Sequence, residues 1–256
     1  MRYKRPEHWL GIDWEAKAQE NPLLAIMTTA DMAEAPADAF SPELLEEFFL
    51  RGRRLFKDHV EPLMTGLPSD AVVVEYGCGA GRILKSVADA GGRAVGIDIS
   101  PTMLEHCREL VPEVHALYPL DEAGRSAAPD GQAALVFSYS VLQHIGLLSA
   151  YVAALDETCR LLAPGGILAL QVNCEDFKAG ADVPSWRTEN HETYSLHFRP
   201  GREDPYKRHE QDHWSGVYIG YDRLGELLAE RGVTLERWYY HNPAKPRAIW
   251  VVGRKG

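Results

Sequence analysis

The residues from Val72 to Arg82, VVVEYGCGAGR, join a run of β-branched side chains to an acid and then to three glycines. Glycine tolerates positive φ and leaves the backbone bare, so a strand that runs into Gly77, Gly79 and Gly81 predicts a tight turn that a ligand can approach closely. A helix beginning near Arg82 turns its positive end toward that ligand. Asp98 closes the next apolar run, RAVGID, where a carboxylate can accept both hydroxyls of a ribose. A glycine turn followed by such an acid describes a site for a nucleoside-containing cofactor. Further along, FSYSVLQHI carries Tyr139 and His144, and the polar stretch from Ser185 to Trp214 carries His191, His197, His209 and His213 among Trp186, Tyr194, Tyr206 and Trp214. Imidazoles move protons near neutral pH, and aromatic faces pack planar ligands or stabilise a cation.

These residues need strands and helices to hold them. AVVVEY, RAVGID, EVHAL, AALVFS and ILALQVN are short and apolar throughout, as parallel strands covered on both faces are. Between them, RILKSVADAGG presents Ile83, Leu84, Val87 and Ala88 on one face and stops at Gly91-Gly92. SPTMLEHCREL opens with Ser100 as N-cap and Pro101 at the first helical position. LSAYVAALDETCRLLAPGG carries one apolar stripe and stops at Pro164-Gly165-Gly166. Such alternation predicts a doubly wound α/β sheet, in which ligands bind beyond the carboxyl ends of the strands. VTLERWYY and RAIWVVGRK, joined by a short turn, predict an antiparallel pair at one sheet edge.

The expected organisation is a single domain over residues 1–256. Residues 1–68 form a helical cover, 69–174 and 216–256 the α/β core, and 175–215 an insertion on the substrate side, polar and without core periodicity. Trp9, Trp14 and a helix from Pro22 to Met32 lie in that helical cover, the tryptophans as core staples of the layer or, as the family resemblance set out below implies, the segment as a lid.

Composition excludes several functions. A net charge of −10 with no basic stripe disfavours nucleic acid as partner. No apolar run is long enough for a bilayer and no apolar signal core follows the basic N-terminus, so a cytoplasmic protein is expected. Cys78, Cys107, Cys159 and Cys174 lack metal or disulfide spacing, which suits free thiols in a reducing compartment. HEQDH, His209 to His213, matches the H-E-x-x-H zinc signature, but it lies in a polar stretch bracketed by Pro205 and Gly216 with no apolar face, and no metal is expected.

The dinucleotide fingerprint G-x-G-x-x-G fails at Arg82. E-x-G-C-G-x-G, beginning at Glu75, is satisfied in full, and on it the chain resembles the class I S-adenosylmethionine-dependent methyltransferases, in particular the small methyltransferase-domain families. VVEYGCGAGR is similar to their glycine-rich motif, VGIDIS to their ribose-binding motif, LVFSYSVLQHI to their fourth-strand motif and RLLAPGGILAL to their run into the fifth strand. The resemblance covers about Pro68 to Cys174. It implies a Rossmann-like seven-stranded sheet ordered 3-2-1-4-5-7-6 with the last strand antiparallel, and S-adenosylmethionine as cofactor. It further implies that Glu75, Tyr76, Gly77, Cys78, Gly79, Gly81 and Arg82 surround the methionine part, Asp98 the ribose, and Ile99, Leu117 and Tyr118 the adenine, with Met103, Ser138 and Tyr139 completing the cofactor set. Two departures stand out: HALYPL offers no acid after the third strand, and no aspartate opens the fourth.

On the acceptor side, Tyr139 and His144 are the expected catalytic residues, His144 as base. Trp14, Tyr139, His144, Trp186, His191, Tyr194, His197 and Trp214 are expected to meet the acceptor. The expected reaction is methyl transfer to an oxygen or nitrogen of a small molecule, by a monomer or homodimer with no membrane partner. The alternatives are a peptide or protein side chain as acceptor, or a non-catalytic protein that binds the cofactor.

Overall fold

The computed structural model describes residues 14–20, 22–23, 40–174, 183–189, 192–198, 216–241 and 248–256. Five parallel strands form the centre: β1 (Val72–Tyr76), β2 (Arg93–Asp98), β3 (Ala116–Pro119), β4 (Ala133–Ser138) and β5 (Leu162–Asn173). After an inserted stretch with β6 (Val183–Glu189), β7 (Glu192–Phe198) and β8 (Val217–Tyr218), the chain returns to the main sheet as β9 (Val233–Tyr240) and β10 (Ala248–Lys255). The seven-stranded sheet runs β3-β2-β1-β4-β5-β10-β9. β10 is antiparallel to both neighbours. Counting only main-sheet strands, this is the expected 3-2-1-4-5-7-6 order.

The first described helix, α1 (Trp14–Glu20), buries Ala18 with Leu44, Phe48, Ala80 and Met103. Alternation along each strand splits the main core in two. Val73, Leu135, Phe137, Ala169, Trp250 and Val252 face one side. Against them pack α2 (Pro42–Leu55), which continues through a π-helical turn (Phe56–Val60) to Met64, then α3 (Leu84–Asp89) and α4 (Pro101–Leu110). Val74, Val136, Leu170, Ile249 and Val251 face the other side, covered by α5 (Leu148–Leu161) and α6 (Tyr221–Ala229).

Local chemistry explains the ends. The Ser100 hydroxyl oxygen accepts the Met103 N–H at 3.1 Å and caps α4, and Ser41 caps α2 the same way at 3.3 Å. The glycine turn is longer than the spacing predicts, and regular helix begins at Leu84 rather than near Arg82. Pro164-Gly165-Gly166 stops α5 as expected, yet it lies inside β5, because Leu162 already pairs with Ala133 before the register shifts. The insertion also departs from expectation. It carries a three-stranded sheet, β6-β7-β8, whose Thr-, Tyr- and Trp-containing strands suit pairing; Tyr194, Leu196 and Phe198 alternate with polar residues in the sequence of β7, while β6 has no such alternation. A bridge from Cys174 to Ile219 and the Val217 N–H to the Ile145 carbonyl, 2.8 Å, tie its end to the core.

Candidate functional site

The site is built where β1, β2, β4 and β5 end. Gly77, Gly79 and Gly81 all adopt positive φ, at 79°, 52° and 86°. At Gly77 the reason is close approach by the protein itself. A Cβ there would stand 2.2 Å from Val141 Cγ2, so the segment after β4 rests directly on the turn. The Gly77 and Cys78 N–H groups both donate to the Ile97 carbonyl, at 2.7 and 3.0 Å.

Asp98 organises the next layer. One carboxylate oxygen accepts the Gly79 N–H at 2.8 Å and the other the Ser100 N–H at 2.9 Å. Burial pushes its pKa up, against the pull of the Ser100, Gly79 and Ile99 N–H groups. A carboxylate offers about four lone-pair directions, so capacity for a diol remains after two backbone bonds. Glu15 of α1 joins this layer, although nothing local in the sequence marks it. It accepts the Ser100 hydroxyl at 2.6 Å, the Thr102 hydroxyl at 2.6 Å and the Thr102 N–H at 3.3 Å. Burial alone would raise its pKa, but the Ser100, Thr102 and Gln19 bonds outweigh that and lower it.

Glu75 is 3 % exposed, and its Oε2 has no hydrogen-bond partner among the described residues. Burial drives its pKa well above the ordinary carboxylate range, opposed by the Arg82 guanidinium. Arg82 lies 5.6 Å from the centre of the Tyr139 ring.

Other expected cofactor residues are placed differently. The Tyr76 side chain is buried in the opposite face of the sheet, so only its backbone reaches the turn. Ser138 is fully buried and its hydroxyl donates to the Tyr76 carbonyl at 2.8 Å, tying β4 to β1. Cys78 is buried with Cys107, and Met103 is buried between α4 and the N-terminal layer. Ile99 is half-buried directly beyond β2. Leu117 and Tyr118 are consecutive on β3 and pack with opposite faces, so the two do not act as one wall. Asp121, two residues beyond β3, turns its carboxylate to the Ala123 and Arg125 N–H groups of its own loop, both at 2.9 Å.

After β4 the backbone is strained: Ser140 adopts φ 60°, rare for a residue with a side chain. Gln171 of β5 holds it by accepting the Ser140 N–H at 2.8 Å. From this turn two clusters diverge. His144 is buried, its ring 5.5 Å edge-on to Trp14, its Nε2 3.2 Å from the Gln143 amide nitrogen. Tyr139 joins a separate array. Its hydroxyl lies 3.4 Å from His241 Nε2, His241 Nδ1 lies 3.2 Å from His59 Nε2, and the Trp250 indole N–H donates to His241 Nδ1 at 3.4 Å. His59 stacks on Trp250 and Tyr239. Burial lowers both imidazole pKa values, that of His59 to about 4. Sequence reasoning passed over His59 and His241, which lie in a helix and a strand end with no motif around them.

Trp186 lies on β6 and Tyr194 and His197 on β7, with Tyr194 opposite Arg187. His191, Trp214, Trp9, most of the segment from Pro22 to Met32 and the HEQDH stretch lie outside the described residues. Among the described residues no three His, Cys, Asp or Glu side chains cluster as metal ligands, and no helix is long and apolar enough to cross a membrane.

Comparison with known proteins agrees with this architecture. The profile of the methyltransferase domain family matches residues 74–170. A trans-aconitate 2-methyltransferase of Paracidovorax citrulli is 32% identical over 213 residues, covering 78% of this chain and 76% of that protein. A 2-methyl-6-phytyl-1,4-hydroquinone methyltransferase of Synechocystis is 30% identical over 193 residues, 72% of this chain and 55% of that protein. The chain spans about half the length of the curated relatives it matches first. In fold it is similar to the S-adenosylmethionine-bound amino pentose methyltransferase CalS10 of Micromonospora echinaspora, with TM-score 0.55, 20% identity, and coverage of 82% of this chain and 97% of that one. The chain belongs to the class I S-adenosylmethionine-dependent methyltransferases.

Proposed function

We propose that this enzyme transfers the methyl group of S-adenosylmethionine to an oxygen or nitrogen of a small molecule. The unpartnered Oε2 of Glu75 carries the cofactor half of that reading. A buried acceptor without a donor is costly, and the cofactor's ammonium is a donor of the right charge. The turn at Gly77, Cys78, Gly79 and Gly81 with Arg82 would hold the methionine part, Asp98 the ribose, and Ile99 with Leu117 or Tyr118 the adenine. Glu15 would steady α1 over this site. Bound S-adenosylmethionine supplies an electrophilic methyl on a sulfonium sulfur. The chain's own residues then have to exclude water, align the acceptor and handle any proton, which is chiefly work of orientation.

Tyr139, His144 and Trp14 would border the acceptor, and the insertion over 175–215, with Trp186, His191, Tyr194, His197 and Trp214, would choose it. The relatives named for trans-aconitate and for a hydroquinone support a small molecule as acceptor. We also place the enzyme in the cytoplasm, without nucleic acid as partner, as a monomer or homodimer. Its four buried free thiols and its net charge of −10 support that placement. Calorimetric titration with S-adenosylmethionine and S-adenosylhomocysteine tests the cofactor half. The acceptor half is tested by methyl-labelled cofactor with fractions of small metabolites and of peptides. Label entering only the peptide fraction would overturn it.

A further inference from the structure

The segment that leaves β4, Ser140 to Ile145, is held from three sides. On the first, Val141 rests on the glycine turn, where a Cβ at Gly77 would stand 2.2 Å from its Cγ2. On the second, the Ser140 N–H donates to Gln171 Oε1 at 2.8 Å. A backbone N–H can only donate, so the amide oxygen of Gln171 is the atom turned to it. Gln171 is 3 % exposed and pairs in register with Trp250, which puts it on the face of the sheet where Tyr139 packs. On the third side, the chain returning from the insertion lies directly on the segment. A Cβ at Gly216 would stand 1.9 Å from the Gln143 carbonyl oxygen and 2.3 Å from its carbon, and the Val217 N–H donates to the Ile145 carbonyl at 2.8 Å. Gly216 has no positive φ, so glycine is needed there for room rather than for conformation.

This hold matters because Ser140 is left-handed, at φ 60°. A residue with a side chain keeps such a backbone only where its surroundings over-determine it. Gln171 supplies the acceptor that its N–H needs, and the Gln143 amide donates to its hydroxyl oxygen at 2.9 Å. The turn sends Tyr139 toward His241 and His144 toward Trp14. Relaxing Ser140 to an ordinary φ would reorient the chain on its two sides, and those two side chains would lose their present aim.

We infer that Gln171 and Gly216 are positioning residues of the methyl transfer. Gln171 fixes the left-handed turn that aims Tyr139 and His144 apart. Gly216 lets the insertion close on the backbone between them. This inference rests on the reading above, in which Tyr139 and His144 border the acceptor and the insertion chooses it. Both residues act through the path of Ser140–Ile145 and not on the acceptor itself.

The first test needs no acceptor. Proton–carbon NMR of the Tyr139 and His144 rings, on the full chain with S-adenosylhomocysteine added, reports the aim of both side chains. Gln171→Met, which keeps the length of the side chain but has no acceptor oxygen, should shift or broaden both sets of ring signals. Gln171→Glu keeps an oxygen at the same reach and should hold them near the parent's. Ser140→Gly supplies the deciding comparison, because glycine adopts a positive φ without support. Added to Gln171→Met, it should bring the ring signals back toward the parent's, whereas a mere packing role for Gln171 allows no such recovery. Gly216→Ala should shift the His144 signals and speed hydrogen exchange at the Val217 N–H roughly tenfold or more. Ring signals unmoved by Gln171→Met, or moved and not restored by Ser140→Gly, would overturn the role of Gln171. Parent-like exchange at Val217 would overturn that of Gly216.

Turnover supplies the second test. With methyl-labelled cofactor and small-metabolite fractions, Gln171→Met should lower the rate at saturating cofactor roughly 10- to 100-fold, the scale of a misplaced catalytic group. Calorimetric affinity for S-adenosylhomocysteine should fall far less, since the glycine turn keeps its own bonds to Ile97 and Asp98. Equal losses of rate and affinity would mean general damage and would overturn the inference. A parent protein that binds no S-adenosylhomocysteine would sink the cofactor reading, and one that binds it but labels no small metabolite the acceptor reading. In either case the ring signals still decide the roles of Gln171 and Gly216.

Discussion

Asp98 and Glu75 are both buried acids at strand ends, yet they do different work. Asp98 is satisfied by two backbone N–H groups, so it shapes the glycine turn as well as offering capacity to a ribose. Asp98→Ala should therefore weaken cofactor binding roughly 10- to 100-fold, the scale of a charged hydrogen bond, and also lower the melting temperature. Calorimetry and thermal unfolding on one sample separate the two effects, and unchanged affinity would contradict the ribose assignment. Without the cofactor's ammonium beside it, Glu75 has its pKa driven up by burial, with Arg82 opposing. A carboxyl with a raised folded pKa contributes stability below its unfolded value, and that contribution is lost as pH rises through the folded pKa. Glu75→Gln should thus gain stability relative to the parent as pH rises above the ordinary carboxylate range, while losing cofactor affinity. A melting-temperature difference that stays constant with pH would count against it.

At the scale of elements, α1 connects the two halves of the site. Glu15 bonds the start of α4 next to Asp98, while the adjacent Trp14 meets His144 beyond β4. The seven-residue helix has little strength of its own, being shorter than the length at which isolated helices persist. Its hold therefore depends on those side-chain bonds and on Ala18. Glu15→Ala should leave the melting temperature nearly unchanged, because the bonds are peripheral to the main core. It should raise hydrogen exchange over Trp14–Glu20 and speed cofactor dissociation. Normal exchange in that helix would show that Ala18 and Trp14 suffice.

Across the whole molecule, His59 links the helical layer to the antiparallel end of the sheet through Tyr239, His241 and Trp250. Its folded pKa, near 4, lies below the unfolded value, so the unfolded chain takes up a proton first as pH falls. The stability of the neutral form is complete above the ordinary histidine range and is lost as pH drops through it toward 4. Chemical denaturation should show a decline from about pH 6.5 to 4 that is shallower in His59→Phe, whose ring keeps the stacking but cannot titrate. Equal slopes would mean that the proton is taken up elsewhere.

Residue type and spacing alone determined the strand and glycine turn that begin at Val72, Asp98 at the end of β2 and the cap at Ser100, because apolar runs, glycines and caps act over a few neighbours; the main-sheet order was implied by the family resemblance. β6 escaped notice because a strand without apolar alternation leaves no periodic mark, and β7 because its short alternation of Tyr194, Leu196 and Phe198 stands alone in a polar stretch. Only the tertiary structure decided what closes the site. Glu15 and Ser100 are 85 positions apart, Tyr139 and His241 102, and His59 and His241 182. Their meeting depends on crossovers that bring strand ends to one edge.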